Sequence, residues 1–237
     1  MSEPLPKLRI SSKRSLSEQI YTFLRSLIIT AHIKPGSTFS ENEISSHLKI
    51  SRQPVREALN HLEHDGLVSI FPQKGTCVKK ISVNKLQQVV FIRTALECAC
   101  IDNIQTLNVR KYNAVLKKLK TNLLYQKTRI DEDNKAEYFI KLDDKFHELI
   151  CEFSDCEMTW KVIQSFKGQL DRIRYLSMGH ESPLDSLIEE HEVIITAIEN
   201  GDFEKARDLL KTHLNEIMMT HVSIKEKYAS WFEDNDI

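Results

Sequence analysis

This chain reads as a mainly α protein in two parts: a small helical domain carrying a β-hairpin, then an all-helical antiparallel bundle. Three observations lead there. From Lys85 onward the apolar residues recur only at helical spacing. Six glycines and six prolines in 237 residues are too few for a loop-rich or all-β chain. Before Lys85, two short apolar runs flank Pro72-Gln73-Lys74-Gly75, the pattern of two strands joined by a basic turn.

Residues 1–14 are polar and basic with two prolines and read as an N-terminal arm. Leu16 to Ala31 is amphipathic, with Ile20, Phe23, Leu24, Leu27 and Ile28 on one stripe, and Lys34-Pro35-Gly36 ends it. Thr38 and Phe39 suit a short strand. Ser40-Glu41-Asn42-Glu43 has the form of a capping box that opens a second helix through Leu48. Ser51 stands where it can cap a third helix, Pro54 falls in its first turn, and Asp65-Gly66 closes it with a glycine suited to a left-handed position. Leu67–Ile70 and Thr76–Lys79 are the hairpin strands. Three helices and a hairpin make a winged helix-turn-helix over residues 15–80, with 81–84 as a linker in which Ser82 or Asn84 can cap the next helix.

The third helix carries the chemistry of this domain. Arg52 and Arg56 are four apart and share a face with Gln53 beside them, while Val55, Ala58, Leu59 and Leu62 line the opposite stripe. Guanidinium and amide donors at the exposed N-terminal end of a helix are suited to the donor and acceptor edges of a DNA major groove. His61 and His64, near its end, read as solvated. Net charge is −1 overall but divides unevenly: residues 1–80 carry +5 and residues 81–237 carry −6. A basic N-terminal third fits a polyanion and an acidic remainder does not. No apolar stretch approaches the ~20 residues of a membrane span, and no N-terminal apolar run directs secretion, so a cytoplasmic protein is expected. Its five cysteines then read as reduced thiols, mostly small buried hydrophobes, with Cys151 and Cys156 the pair open to a redox role.

The bundle helices are expected over Lys85–Gln105, Val109–Gln126, Lys135–Glu152, Glu157–Leu176, Leu184–Glu199 and Phe203–Ala229, the domain spanning 85–230 and a tail 231–237. Asp143 and His147 leave one helix on the same face, one turn apart. His191 lies beside an apolar stripe of Ile188, Ile194 and Ile195, and His213 has the same setting among Leu209, Leu210 and Leu214. Three inward histidines and a carboxylate can converge on one divalent transition metal (Zn, Ni, Fe or Mn), leaving coordination positions open. Asp144, three residues from His147, competes with Asp143, and spacing does not separate them. The plain alternative for each histidine is a hydrogen-bonded core residue. Trp160, Phe166 and Tyr175 read as bundle packing, and His180 and His221 as surface or boundary residues.

Residues 16–80 resemble the DNA-binding domain of the GntR superfamily of bacterial repressors. The resemblance is carried by Pro35-Gly36, Ser51-Arg52-x-Pro54-Val55-Arg56-Glu57-Ala58-Leu59, Gly66-Leu67-Val68 and Gly75. It implies that Arg52 and Arg56 contact bases and phosphates and that Gly75, with Lys74, lets the hairpin tip approach the minor groove. Asn42 stands where many relatives have arginine and Gln53 where threonine is common, departures that bear on the preferred half-site.

Residues 85–230 are similar to the helical effector domain (FCD type) of the fatty-acid-repressor branch. The matching pieces are Arg93-x-x-Leu96-Glu97, Asp143-x-x-Phe146-His147, Glu190-His191-x-x-Ile194-x-x-Ala197-Ile198, Gly201-Asp202-x-x-x-Ala206-Arg207 and His213. Metal-binding members use an aspartate and three histidines at these places, so the resemblance selects Asp143 over Asp144 and disfavours a long acyl-CoA ligand. It also turns Arg93 toward the same cavity as an effector-binding residue; the alternative is a surface salt bridge from Arg93 to Glu97. Arg172 and Arg174 are lesser candidates.

These readings converge on a DNA-binding regulator, with repression the commoner mode in such a family. A homodimer would read an approximately palindromic double-stranded operator, controlled by a small organic acid at the metal site. The alternatives are a metal-dependent enzyme and a direct sensor of the metal itself.

Overall fold

The structure is a computed structural model that describes residues 5–12, 14–128, 135–178 and 184–234. It divides into two compact units, one running to Asn84 and including the segment from Lys227, the other Lys85–Glu226.

In the first unit, α1 (Leu16–Ile29) opens with a capping box: Ser15 accepts from the Glu18 N–H, and the Glu18 carboxylate accepts from the Ser15 N–H. β1 (Thr38–Phe39) follows, then α2 (Glu41–Leu48), whose box pairs Ser40 with Glu43 as expected. A left-handed Lys49 turns the chain toward α3 (Arg52–His64). Ser51 occupies the N-cap position of α3 but makes no side-chain cap bond, so its expected capping role is not realised. Gly66, at φ +71°, ends the helix. β2 (Val68–Phe71) and β3 (Gly75–Val78) form the hairpin, and β1 adds to β3, giving the antiparallel order β1-β3-β2 with Phe39 opposite Thr76. Ile20, Leu24, Ile44, Val55, Leu62, Leu67 and Val78 are buried as its core.

The second unit is all helical. α4 (Val83–Asp102) starts two residues earlier than expected and runs into a 3₁₀ turn at Asn103–Thr106. α5 (Val109–Thr128), α6 (Lys135–Cys151) and α9 (Leu184–Glu199) lie close to their expected spans. Two helices expected as single are broken. Glu157–Leu176 divides into α7 (Met158–Phe166) and α8 (Gly168–Met178) at Lys167, whose ammonium turns inward to Asp144 and Asp171 at 2.7 Å each. Phe203–Ala229 divides into α10 (Phe203–Asn215) and α11 (Ile217–Lys227) at Glu216. Phe139, Phe146, Phe153, Ile163, Ile194, Ile198 and Leu210 form the core of this unit. Trp160 packs against it, while Phe166 and Tyr175 are only half-buried. Residues after Lys227, expected partly in the bundle and partly in a tail, group instead with the first unit. No helix among the described residues is long and apolar enough to cross a membrane.

Candidate functional site

On α3, Arg52, Gln53 and Arg56 are exposed together, and Val55, Ala58, Leu59 and Leu62 face the core, the division that the helical period requires. Two of the three are already held by carboxylates. Arg56 donates through Nε and Nη2 to both oxygens of Glu41 at 3.0 and 3.2 Å, and Gln53 donates to Glu57 at 3.0 Å. Glu41 was not singled out by the sequence; its signal is only its place in the capping motif, since contact across the turn is a tertiary fact. Lys74 is exposed at the hairpin turn. Gly75 has φ +97°, and a Cβ there would come within 2.9 Å of the Phe39 carbonyl oxygen. The glycine is therefore required by close approach of β3 to β1, whatever the tip touches.

The second constellation gathers in the bundle. Ligand-capable atoms of Asp143 and His147 on α6, His191 on α9 and His213 on α10 all lie within 4.8 Å of one another. His213 Nε2 is 3.3 Å from Nε2 of both His147 and His191; Asp143 is 3.6 Å from His147 Nε2 and 3.5 Å from His191 Nε2. Asp144 is outside this group and pairs with Lys167 and Arg174 at 2.7 Å.

The outer ring nitrogens explain the arrangement. His147 Nδ1 meets Glu97 Oε2 at 2.6 Å, His213 Nδ1 meets Glu190 Oε2 at 2.6 Å, and His191 Nδ1 meets Gln126 Oε1 at 2.8 Å. The orientation of the Gln126 amide is itself set. Its nitrogen donates to Asn122 Oδ1 at 2.7 Å, and the Asn122 nitrogen donates to the Leu142 carbonyl at 3.0 Å. A backbone carbonyl can only accept, so the relay fixes each amide and gives His191 an Nδ1–H. With carboxylates accepting from the other two, all three Nε2 atoms present lone pairs to one another. Two acceptors each 3.3 Å from a third repel it unless a cation lies among them, the usual outer-shell pattern of histidine metal ligands.

Electrostatics agree with that donor set. Burial, with Arg93 next in effect, holds His147 well below the ordinary histidine pKa; burial and neighbouring His213 push His191 down to about 3. Both are therefore neutral near pH 7, as ligation requires. Burial alone would raise the Asp143 pKa, but Arg174 and the three histidines outweigh it and hold the carboxyl far below the carboxylate range. Arg174 on α8 bonds Asp143, Asp144 and Asp171 together, and so orients Asp143. Burial pushes the Glu97 pKa up, with Arg93 opposing.

Arg93 on α4 is buried, and its Nε donates to Glu97 Oε1 at 2.6 Å. The salt bridge to Glu97 is present, though interior rather than on the surface, and Arg93 also borders the cavity next to the histidines. Its Nη2 is buried with no hydrogen-bond partner among the described residues. Arg93, Asp143, His147 and His213 border a cavity of about 60 Å³, together with Leu170 and Leu187. At ~10–15 Å³ per water of comparable space, that is room for roughly four to six waters. Gln126, Glu190 and Glu97 were missed as histidine partners; Glu190 adjoins His191 in sequence, but nothing in sequence points to Gln126. His221 is half-buried, His61 and His64 are exposed, and His180 lies outside the described residues. All five cysteines are free thiols, and Cys156 is exposed rather than buried.

Residues 16–78 match the family model described as "Bacterial regulatory proteins, gntR family", and residues 88–216 match the FCD domain. The chain belongs to the GntR family. This GntR-family chain is 34% identical to the HTH-type transcriptional repressor RspR of Escherichia coli K12 over 226 residues, covering 95% of this chain and 97% of that protein. It is 28% identical to the gluconate operon transcriptional repressor of Bacillus subtilis over 202 residues, 81% of this chain and 79% of that one. The solved structure of E. coli McbR/YncC shares the fold, with TM-score 0.69, 20% identity, and 89% and 99% of the two chains covered. The protein is a transcription regulator of the GntR family, and the relatives it matches are regulators rather than the metal-dependent enzyme expected as an alternative.

Proposed function

We propose that this regulator is a repressor whose helical unit holds one divalent transition metal on Asp143, His147, His191 and His213. A small carboxylate binding beside the metal then controls operator affinity. One observation carries the reading: three Nε2 lone pairs converge while every Nδ1 is tied to an acceptor. A bound metal would supply positive charge and open coordination positions for an anionic oxygen. The buried Arg93 Nη2 is a second donor on the same cavity, and this favours an organic acid over the metal alone as the signal. The cavity size suits an acid of a few carbons and leaves no room for an acyl chain.

Arg52, Gln53 and Arg56 are proposed as the base-reading set, Ser51, Lys74 and Gly75 as the flanking contacts, and a homodimer as the form that meets an approximately palindromic operator. Two relatives named as transcriptional repressors support the sign. Elemental analysis of freshly purified protein tests the metal centre. About one equivalent per chain is expected, falling sharply in His147→Ala and His213→Ala. Full occupancy in the double variant would show these histidines to be structural.

A further inference from the structure

The chain passes between its two compact units twice, at Asn84–Lys85 and at Glu226–Lys227. Within the first unit these crossings are pinned to each other. Ile81 forms a parallel bridge with Phe232: the Ile81 N–H donates to the Trp231 carbonyl at 2.8 Å, and the Glu233 N–H donates to the Ile81 carbonyl at 3.0 Å. Both side chains are buried, Ile81 at 0% and Phe232 at 1% exposure. A 3₁₀ turn at Ala229–Trp231, with Tyr228 and Trp231 stacked at 4.6 Å, shapes the approach.

Each crossing continues into a helix that reaches the cavity. α4 begins two residues after Ile81 and carries Arg93 and Glu97, about 15 Å and about 21 Å along its axis from Val83. α11 begins at the cavity, which Glu216, Ile217 and Thr220 border, and Thr220 lies about 10 Å from its end at Lys227. The regular helical ladder is interrupted where α11 starts. At the α10–α11 break the Glu216 N–H bonds the His213 carbonyl three residues back at 3.4 Å, in place of a continuous i−4 ladder. His213 stands at that break.

We infer that the segment Lys227–Asp234 is a strap that carries the state of the cavity into the winged unit. Ordering of His213 and its neighbours shifts α11, and the shift is felt at Ile81 through the two bridge bonds. The inference rests on the metal site proposed above.

Amide hydrogen exchange of the full-length protein, zinc-loaded against chelator-stripped, tests it, with zinc stoichiometry measured on the same samples. Exchange at Ile81 and Glu233 should slow at least threefold with zinc. Glu233→Pro deletes one bridge donor while keeping the buried ring, and Phe232, at φ −98° and ψ 157°, already has the backbone that precedes proline. That variant should still bind zinc and still show slowed exchange around His191 and His213, while Ile81 loses its slowing. Phe232→Ala, which keeps both bridge bonds, should weaken the response in part and serves if the proline variant does not fold. Stoichiometric zinc with unchanged exchange at Ile81 and Glu233 overturns the strap alone. Failure to take up zinc overturns the metal site and the strap with it.

Discussion

Glu97→Gln is the most informative single change in the bundle. In the wild type one carboxylate oxygen accepts from Arg93 Nε and the other from His147 Nδ1, each at 2.6 Å, with Glu97 itself fully buried. An amide has only one oxygen. If it faces Arg93, the amide nitrogen faces His147 and forces the ring to place its proton on Nε2, aimed at the other two histidines. Altering the outer partner of a metal-bound histidine costs about 10–100-fold in metal affinity, or roughly 1.4–2.7 kcal/mol. The change also leaves Arg93 buried without its counter-charge. Breaking a buried pair costs up to about 3–5 kcal/mol, and the retained hydrogen bond brings this toward the lower end. At roughly 2–4 °C per kcal/mol for a chain of this size, the stripped protein should melt about 6–12 °C lower. Competition with a chromophoric chelator gives the zinc Kd, and a thermal scan of the stripped protein gives the Tm. Wild-type values for both would refute the hydrogen-bond logic. A lower Tm with unchanged Kd would reduce Glu97 to a partner of Arg93 alone.

Arg56→Ala should abolish selection of the operator over unrelated DNA in a gel shift while leaving the fold intact, since a bidentate base contact is worth ~1–3 kcal/mol and a dimer loses it twice. Glu41→Gln, which removes the charge holding Arg56, should weaken the same selection less; equal binding of both variants to wild type would take this pair out of the recognition face. Arg93→Ala should reduce the effect of the effector on operator complexes ten- to a hundredfold, and because Arg93 also holds Glu97 it should lower zinc affinity as well. Retained zinc affinity with lost response would confine Arg93 to the ligand, whereas a response that overlays wild type would return it to the salt bridge alone. In the winged unit, burial and the bond to Asp65 raise the Tyr21 pKa to about 12. The unfolded chain releases this proton near pH 10 and the folded one near 12, so the folded state binds more protons between them and stability falls across that window. Denaturant midpoints measured from pH 9 to 12 should show the decline, and Tyr21→Phe should flatten it.

Much of this molecule is written in local pattern. Ser40 and Glu43 form their capping box because the motif contains both partners, and α9 keeps its expected span because its apolar period is unbroken from Leu184 to Glu199. The exposed face of α3 follows from a period of 3.6 residues and needs no knowledge of what packs behind it. What local pattern does not contain is contact between distant segments. The regular helix expected over Glu157–Leu176 is interrupted at Lys167, whose buried ammonium meets Asp171 and, from α6, Asp144. Spacing alone left Asp143 and Asp144 equal, and the fold separates them by turning one toward three histidines and the other toward Lys167. Gln126 fixes the His191 tautomer from 65 residues away through a relay anchored on the Leu142 carbonyl. Sequence can nominate the donors of a site, because donor chemistry belongs to the residue. Which donor faces which, and with its proton on which side, is decided only when helices far apart in the chain pack together.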